Sequence, residues 1–181
     1  TISKGFQTSD NSYAFVAASI DGEDYQKNTR YVVQLWSEYF HKFNDNWGGY
    51  LKNTNIISQN QYLDQPIALG GESGVRGYPL QYQHGDRSVQ FTAEARYYPH
   101  INIYKFFELG AAAFIDTGKT FGTSPFTNVD ASLMTSIGFG ARFYTALSSE
   151  AQVIHLDVIK PLSSDLNVNN VEFRIITKHS F

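Results

Sequence analysis

Alternation of apolar and polar positions is the strongest signal in this chain, and it is cleanest in the second half. From Ser88 to Tyr97, Val89, Phe91, Ala93, Ala95 and Tyr97 fall on one face, and Ser88, Gln90, Thr92, Glu94 and Arg96 on the other. That is the period of two expected of a strand. The pattern repeats from Phe106 to Gly118, with Phe107, Leu109, Ala111, Ala113 and Ile115 against Glu108, Gly110, Ala112, Phe114 and Asp116. It repeats again in Ala131–Thr145, Glu150–Pro161 and Asn170–Phe181; there Arg142, His155 and Asp157 take the polar side, and Phe173 and Phe181 the apolar side. Three weaker strands come earlier, at Asn11–Ile20, Thr29–Phe43 and Trp47–Ile57. The pattern predicts about eight strands of roughly 9–14 residues and no helix.

Between the two sets lies a stretch from Ser58 to Asp86 with no sustained period. Loops longer than roughly 12–15 residues are uncommon in compact domains and are usually functional or disordered. This one carries Ile67, Leu69, Val75, Tyr78, Leu80 and Tyr82, so it reads as ordered. At its centre, GGESGVRGYP (70–79) sets Arg76 among glycines, which permit close approach to a neighbouring surface.

Composition sharpens the class. Charged residues make up 17% of the 181, below the roughly 25% usual in soluble proteins. Aromatic residues reach 15%, with 12 Tyr and 14 Phe, which suits the interfacial belts of a membrane protein. The net charge is −3 with no basic run, so no nucleic-acid partner is expected. There is no cysteine, and the five histidines lack ligand spacing, so no metal or other cofactor is expected. No run of about 18 apolar residues is present, which excludes a membrane-spanning helix. The mean hydropathy of −0.31 does not exclude a membrane barrel, whose alternating strands cancel in any window. The chain begins at Thr1, as expected of a processed protein or an excised piece.

Alternation alone does not separate a soluble sandwich from a membrane barrel. Strand length, aromatic content and a chain ending on an outward Phe181 favour the membrane. The expectation is one domain over residues 1–181: an all-β, antiparallel transmembrane β-barrel of about eight strands, with the long VRGY loop (58–86) between strands three and four. An even count would place the first and last strands antiparallel to one another.

Several motifs now coincide. Gly74, Val75, Arg76, Gly77 and Tyr78 lie in a long loop; Glu94 to Arg96 (EAR) follows on the next strand; Phe114 to Gly118 (FIDTG) follows on the one after; Gly138 to Phe143 (GFGARF) follows that; and an alternating strand closes on Phe. Together these resemble the outer-membrane superfamily of the BamA and TamA insertases and the two-partner-secretion transporters, which share a VRG(F/Y) loop tip and an FxDxG strand. The likeness covers the C-terminal half of a family barrel, with five strands after the loop. No periplasmic polypeptide-transport domains accompany it, as in the short subfamily that lacks them. The resemblance implies a bacterial outer-membrane location and a loop folded into the lumen with Arg76 against wall acids. It places Asp116 and Glu94 as those acids, Phe114, Gly118, Arg96 and Arg142 as supporting lumen residues, and Phe173 and Phe181 in a C-terminal assembly signal.

The physical parts suit that arrangement. An arginine buried in a lumen is costly without a partner, and its planar fork engages carboxylates bidentately. The bland alternative leaves Glu94 and Asp116 as ordinary lumen residues, paired with Arg96 and Arg142. A barrel of about eight strands has an interior only just filled by side chains. Three outcomes follow: an excised half-barrel, two copies pairing as a homodimer, or a loop left outside.

The expected function is non-enzymatic: insertion of polypeptide into the outer membrane or transport across it, with lipid, a client polypeptide or a periplasmic protein as partners. The alternatives are a small structural or pore-forming barrel and, behind it, an outer-membrane hydrolase. The hydrolase reading rests on His155 with Asp157, and on His84, Asp86 and Ser88. No nucleophile motif accompanies those residues.

Overall fold

The computed structural model describes the chain except residues 26–27, 61–65, 72–73, 104–106, 125–131, 146–151 and 180–181. Its described residues form eleven strands: β1 (Ile2–Ser9), β2 (Ser12–Tyr25), β3 (Asn28–Lys42), β4 (Trp47–Gln59), β5 (Ile67–Leu69), β6 (Gln83–Gly85), β7 (Arg87–Ile103), β8 (Phe107–Phe121), β9 (Met134–Thr145), β10 (Gln152–Pro161) and β11 (Glu172–His179). Nine of them make one antiparallel sheet in the order β1-β2-β3-β4-β7-β8-β9-β10-β11, and β5 pairs with β6 in a hairpin within the long loop. The protein is all-β.

Three expectations are corrected. The large sheet has nine strands rather than about eight, because Ile2–Ser9 pairs with β2. Four strands therefore precede the loop, which joins the fourth and fifth strands of the sheet rather than the third and fourth. In an antiparallel meander of nine, the first and last strands run in the same direction, so the parity expected from an even count does not hold. Among the described residues β1 and β11 each have one neighbour, and the sheet is open.

The two faces are chemically distinct, and cross-strand register keeps them so. On β8 burial alternates: Ala112, Phe114, Asp116, Gly118 and Thr120 are buried, while Ala111, Ala113 and Ile115 are exposed. Thr92, Asp116 and Ser136 sit side by side on neighbouring strands, so Asp116 and its row face the same side. We call this the loop face, because the 58–86 segment lies on it. The opposite face is uncovered and mostly apolar, with Lys4, Ser37, Asn53 and Asn55 as polar exceptions. Phe6, Val16, Leu35, Leu51, Phe91, Ile115, Phe139, Leu156 and Ile175 are all exposed there.

The buried hydrophobic cluster lies between loop and sheet. Leu69, Val75, Tyr78 and Tyr82 from the loop pack with Met134 at the start of β9 and Val168 after β10. Four apolar side chains of the loop are therefore buried against the wall, whereas Leu80 is exposed, and the loop is part of the folded core.

Candidate functional site

The tip of the loop is shaped by its glycines. Gly71 N–H donates to Tyr78 O at 2.9 Å and closes the turn. Gly70, Gly71 and Gly77 have φ of 116°, 73° and 85°, a region L side chains avoid. Val75 is fully buried and sits over Gly118, where a Cβ would lie 2.9 Å from Val75 Cγ2. The glycine ending FIDTG is thus the seat for the loop's valine.

Arg76, held between Val75 and Gly77, is 8% exposed. Its Nε donates to Asp116 Oδ2 at 2.5 Å and its Nη2 to Asp116 Oδ1 at 2.9 Å, a bidentate pair. Nη2 also donates to Glu94 Oε1 at 3.1 Å, and Nη1 lies 3.6 Å from Asp157 Oδ2. The guanidinium rests on the Phe114 ring, with Cζ 3.5 Å from its centroid. Charge-assisted bidentate bonds and a stacked face are the interactions arginine is built to make.

Two further arginines complete the cluster. Arg96 meets Glu94 Oε2 through Nε at 2.9 Å and Nη2 at 2.8 Å. Arg142 Nη1 donates to Asp157 Oδ1 at 2.5 Å. Three arginines thus face three carboxylates, and no net charge is buried. The structure brings together Gly74, Val75, Arg76, Gly77 and Tyr78 with Glu94, Asp116, Phe114, Gly118 and Arg96. It gives Arg142 to Asp157 rather than to Glu94 or Asp116. Phe173, 79% exposed, lies on the bare face of the edge strand β11; Phe181 lies outside the described residues.

Sequence reading missed several parts. Asp157, a catalytic candidate beside His155 in the sequence, is shared by Arg76 and Arg142. Asp86, which stands near His84 and Ser88 in the sequence, accepts from Thr123 N and Oγ1 at 3.1 and 3.2 Å. Gln83, fully buried, ties the loop to the wall: its Oε1 accepts from Thr120 N at 3.1 Å and its Nε2 donates to Ser132 O at 2.6 Å. No sequence motif marks it. Replacing Gln83 by Ala leaves Thr120 N and Ser132 O without those partners. The expected cost is about 1–3 kcal/mol, read as a lower thermal midpoint and earlier protease entry into 58–86.

The connection between β10 and β11 and the start of β9 also hold the loop. Tyr82 Oη donates to Asp165 Oδ2 at 2.6 Å, and Tyr78 Oη bridges Thr135 N and O, both at 3.1 Å. The Asp165 carboxyl is held below its ordinary value of 3.8 by the Asn167 backbone N–H first and by Tyr82 second. A depressed folded-state value means the contribution is fully present above the ordinary value and is lost as pH falls through the folded value. Tyr82→Phe is therefore expected to expose the loop to protease at pH of about 6, and its difference from wild type to shrink below a pH of about 3.8. Pepsin-type and neutral proteases at the two pH values check this.

Among the described residues no group of His, Cys, Asp and Glu has the arrangement of a metal site. A scan against protein-family models and searches of curated proteins and of solved structures found no match to this chain.

Proposed function

We propose that this chain is part of an outer-membrane β-barrel of the polypeptide insertase and translocase class, with the Arg76 loop as a lock on its inner wall. The observation that carries the reading is the bidentate Arg76–Asp116 pair under a VRGY tip, backed by Glu94 and Phe114. The fold alone would not distinguish this class from other all-β proteins.

The bare face supports the membrane half of the reading. Soluble monomers rarely expose contiguous apolar patches beyond a few hundred Å², and here the apolar face runs across all nine strands. Aromatic residues collect at the short-turn end, where Trp47 and Tyr97 lie 4.8 Å apart beside exposed Tyr39 and Phe43. Tyr31, exposed, pairs with Gln59 at the other end of β4. Twelve steps separate Trp47 from Gln59; at about 3.3 Å each and a tilt near 45° they span about 28 Å, the height of a bilayer core.

The two tryptophans supply a direct test. Trp47 is on the bare face, whereas Trp36 pairs with Ala17 and Thr54 on the loop face. In vesicles of brominated lipid, Trp36→Phe is expected to keep strong fluorescence quenching and Trp47→Phe to lose most of it. Equal quenching in the two variants refutes the assignment of faces.

The lock is tested by Arg76→Ala. The sheet is expected to fold, the 58–86 segment to become protease-sensitive, and polypeptide transport to fall. Unchanged proteolysis overturns the lock. Edge strands offer unpaired backbone groups to an incoming strand. β1 and β11 run in the same direction, so antiparallel pairing at either edge requires another strand, from a client or a second copy. Light scattering of the detergent-solubilised protein, corrected for bound detergent, separates the monomer from the homodimer.

A further inference from the structure

The wall around Arg76 holds donors that the closed state does not use. Arg142 is 1% exposed, and its Nε and Nη2 have no hydrogen-bond partner among the described residues. Ser136 is fully buried, and its Oγ likewise has no partner there. Buried polar groups are ordinarily satisfied, and each exception asks for an explanation. Both residues lie on the loop face of β9; Ser136 is level with Asp116, and Arg142 is level with Gly110 and His155, one row from Asp157. Ser136 is directly opposite Asp116 in the β8–β9 register, and cross-strand neighbours have Cβ atoms about 4.5–5.5 Å apart. Arg142 already touches Asp157 through Nη1.

Between them β9 carries only Gly138 and Gly140 on this face. Phe114 lies over Gly138, and the Asp157 carboxylate and Arg142 Nη1 lie over Gly140. A side chain at position 140 would occupy the space in which Arg142 and Asp157 meet, and one at position 138 the space of the Phe114 ring.

We propose that Ser136 and Arg142 are reserve donors for the open state of the lock. When Arg76 withdraws, Asp116 loses its bidentate partner and Asp157 Oδ2 loses Arg76 Nη1, which lies 3.6 Å away. Glu94 keeps Arg96, which is bonded to it already. A change of the Ser136 side-chain rotamer brings its hydroxyl onto Asp116, and Arg142 turns a second N–H onto Asp157. Each wall carboxylate then keeps a hydrogen-bond donor of its own; the wall carries one net negative charge, and the donors lower the cost of leaving it there. The inference rests on the reading of Arg76 as a releasable lock and adds how release is tolerated.

Its signature is a change in effect between backgrounds. With Arg76 present, Ser136→Ala removes an idle hydroxyl and is expected to move the thermal midpoint by less than about 1 °C. In an Arg76→Ala background the same change removes the replacement donor of Asp116 and is expected to lower the midpoint by about 3 °C or more. The full chain in detergent is used, with proteolysis of 58–86 followed in the same samples. Gly77→Val, which displaces the tip while keeping Arg76, supplies a second loop-released background should Arg76→Ala not fold. The 15N signals of the Arg142 side chain, assigned by loss in Arg142→Gln, are expected to shift on loop release. Equal midpoint shifts in both backgrounds, with the loop released and the Arg142 signals unmoved, overturn the reserve role and leave the lock standing. A loop that stays protease-resistant without Arg76 defeats the lock and this inference with it.

Discussion

Arg76→Glu is expected to expel the loop from the wall. The variant would place a fourth carboxylate against Glu94, Asp116 and Asp157, whose oxygens lie 2.5 to 3.6 Å from the Arg76 nitrogens in the native protein. Like charges at such separations repel strongly in a site of low dielectric, and the lost pair adds its own cost of about 3–5 kcal/mol. The wall strands cannot yield. β7 and β8 are hydrogen-bonded on both sides, to β4 and β9 as well as to each other. The loop is the element able to move. Local opening that falls in cost by about 4 kcal/mol raises its open population nearly a thousandfold, and proteolysis tracks that population when opening is fast. Cleavage confined to 58–86, with the sheet intact by circular dichroism, is the expected result. Cleavage at the native rate would show that the ion pair does not hold the loop. The companion measurement combines Arg76→Ala with Asp116→Asn. The two are in direct contact, so their effects are expected to be non-additive; additive effects would count against the contact as an energetic unit.

The site was legible in the sequence where two patterns crossed. Alternation put Glu94, Asp116, Arg142 and Asp157 on one face, because the sheet has one face covered by polar partners and one left apolar. Glycines bracketing a lone arginine singled out the loop. Alternation carries no information on which rows end up level, so it could not choose among the acids. Asp157 pairs in register with Gly140, and Gly140 with Ala112, two rows away from Asp116 and on a strand two removed. Arg76 reaches it only because the loop crosses the strands. Gln83 was invisible because its role depends on Thr120 and Ser132, far away in sequence. The first strand was missed because Lys4 falls among the apolar positions of ISKGFQTS, and all eight residues are exposed. The β5–β6 hairpin was missed because strands of three residues are too short to show a period.

Gly77→Val tests the lock from its packing side while leaving every charge in place. Gly77 has φ of 85°, a conformation that costs a residue with a Cβ roughly 1–2 kcal/mol and a β-branched one more. A Cβ there would lie 2.8 Å from Pro161 Cγ and 2.9 Å from Ile159 Cγ2. Ile159 is fully buried, and β10 is paired on both sides, so the wall does not give. Overpacking of this kind adds about 1–3 kcal/mol. The sum, about 2–5 kcal/mol, falls on the residue next to Arg76. Relieving it by moving the tip outward lengthens every arginine contact to Asp116 and Glu94, which are short and directional. Gly77→Ala, without the branch, is expected to show about half the effect. Both variants should lower the thermal midpoint and open the loop to protease in the same order, with Val worst. If Gly77→Val instead left the loop as resistant as wild type, the seating of the tip on Ile159 and Pro161 would be wrong, and the arginine would be holding a loop placed differently on the wall.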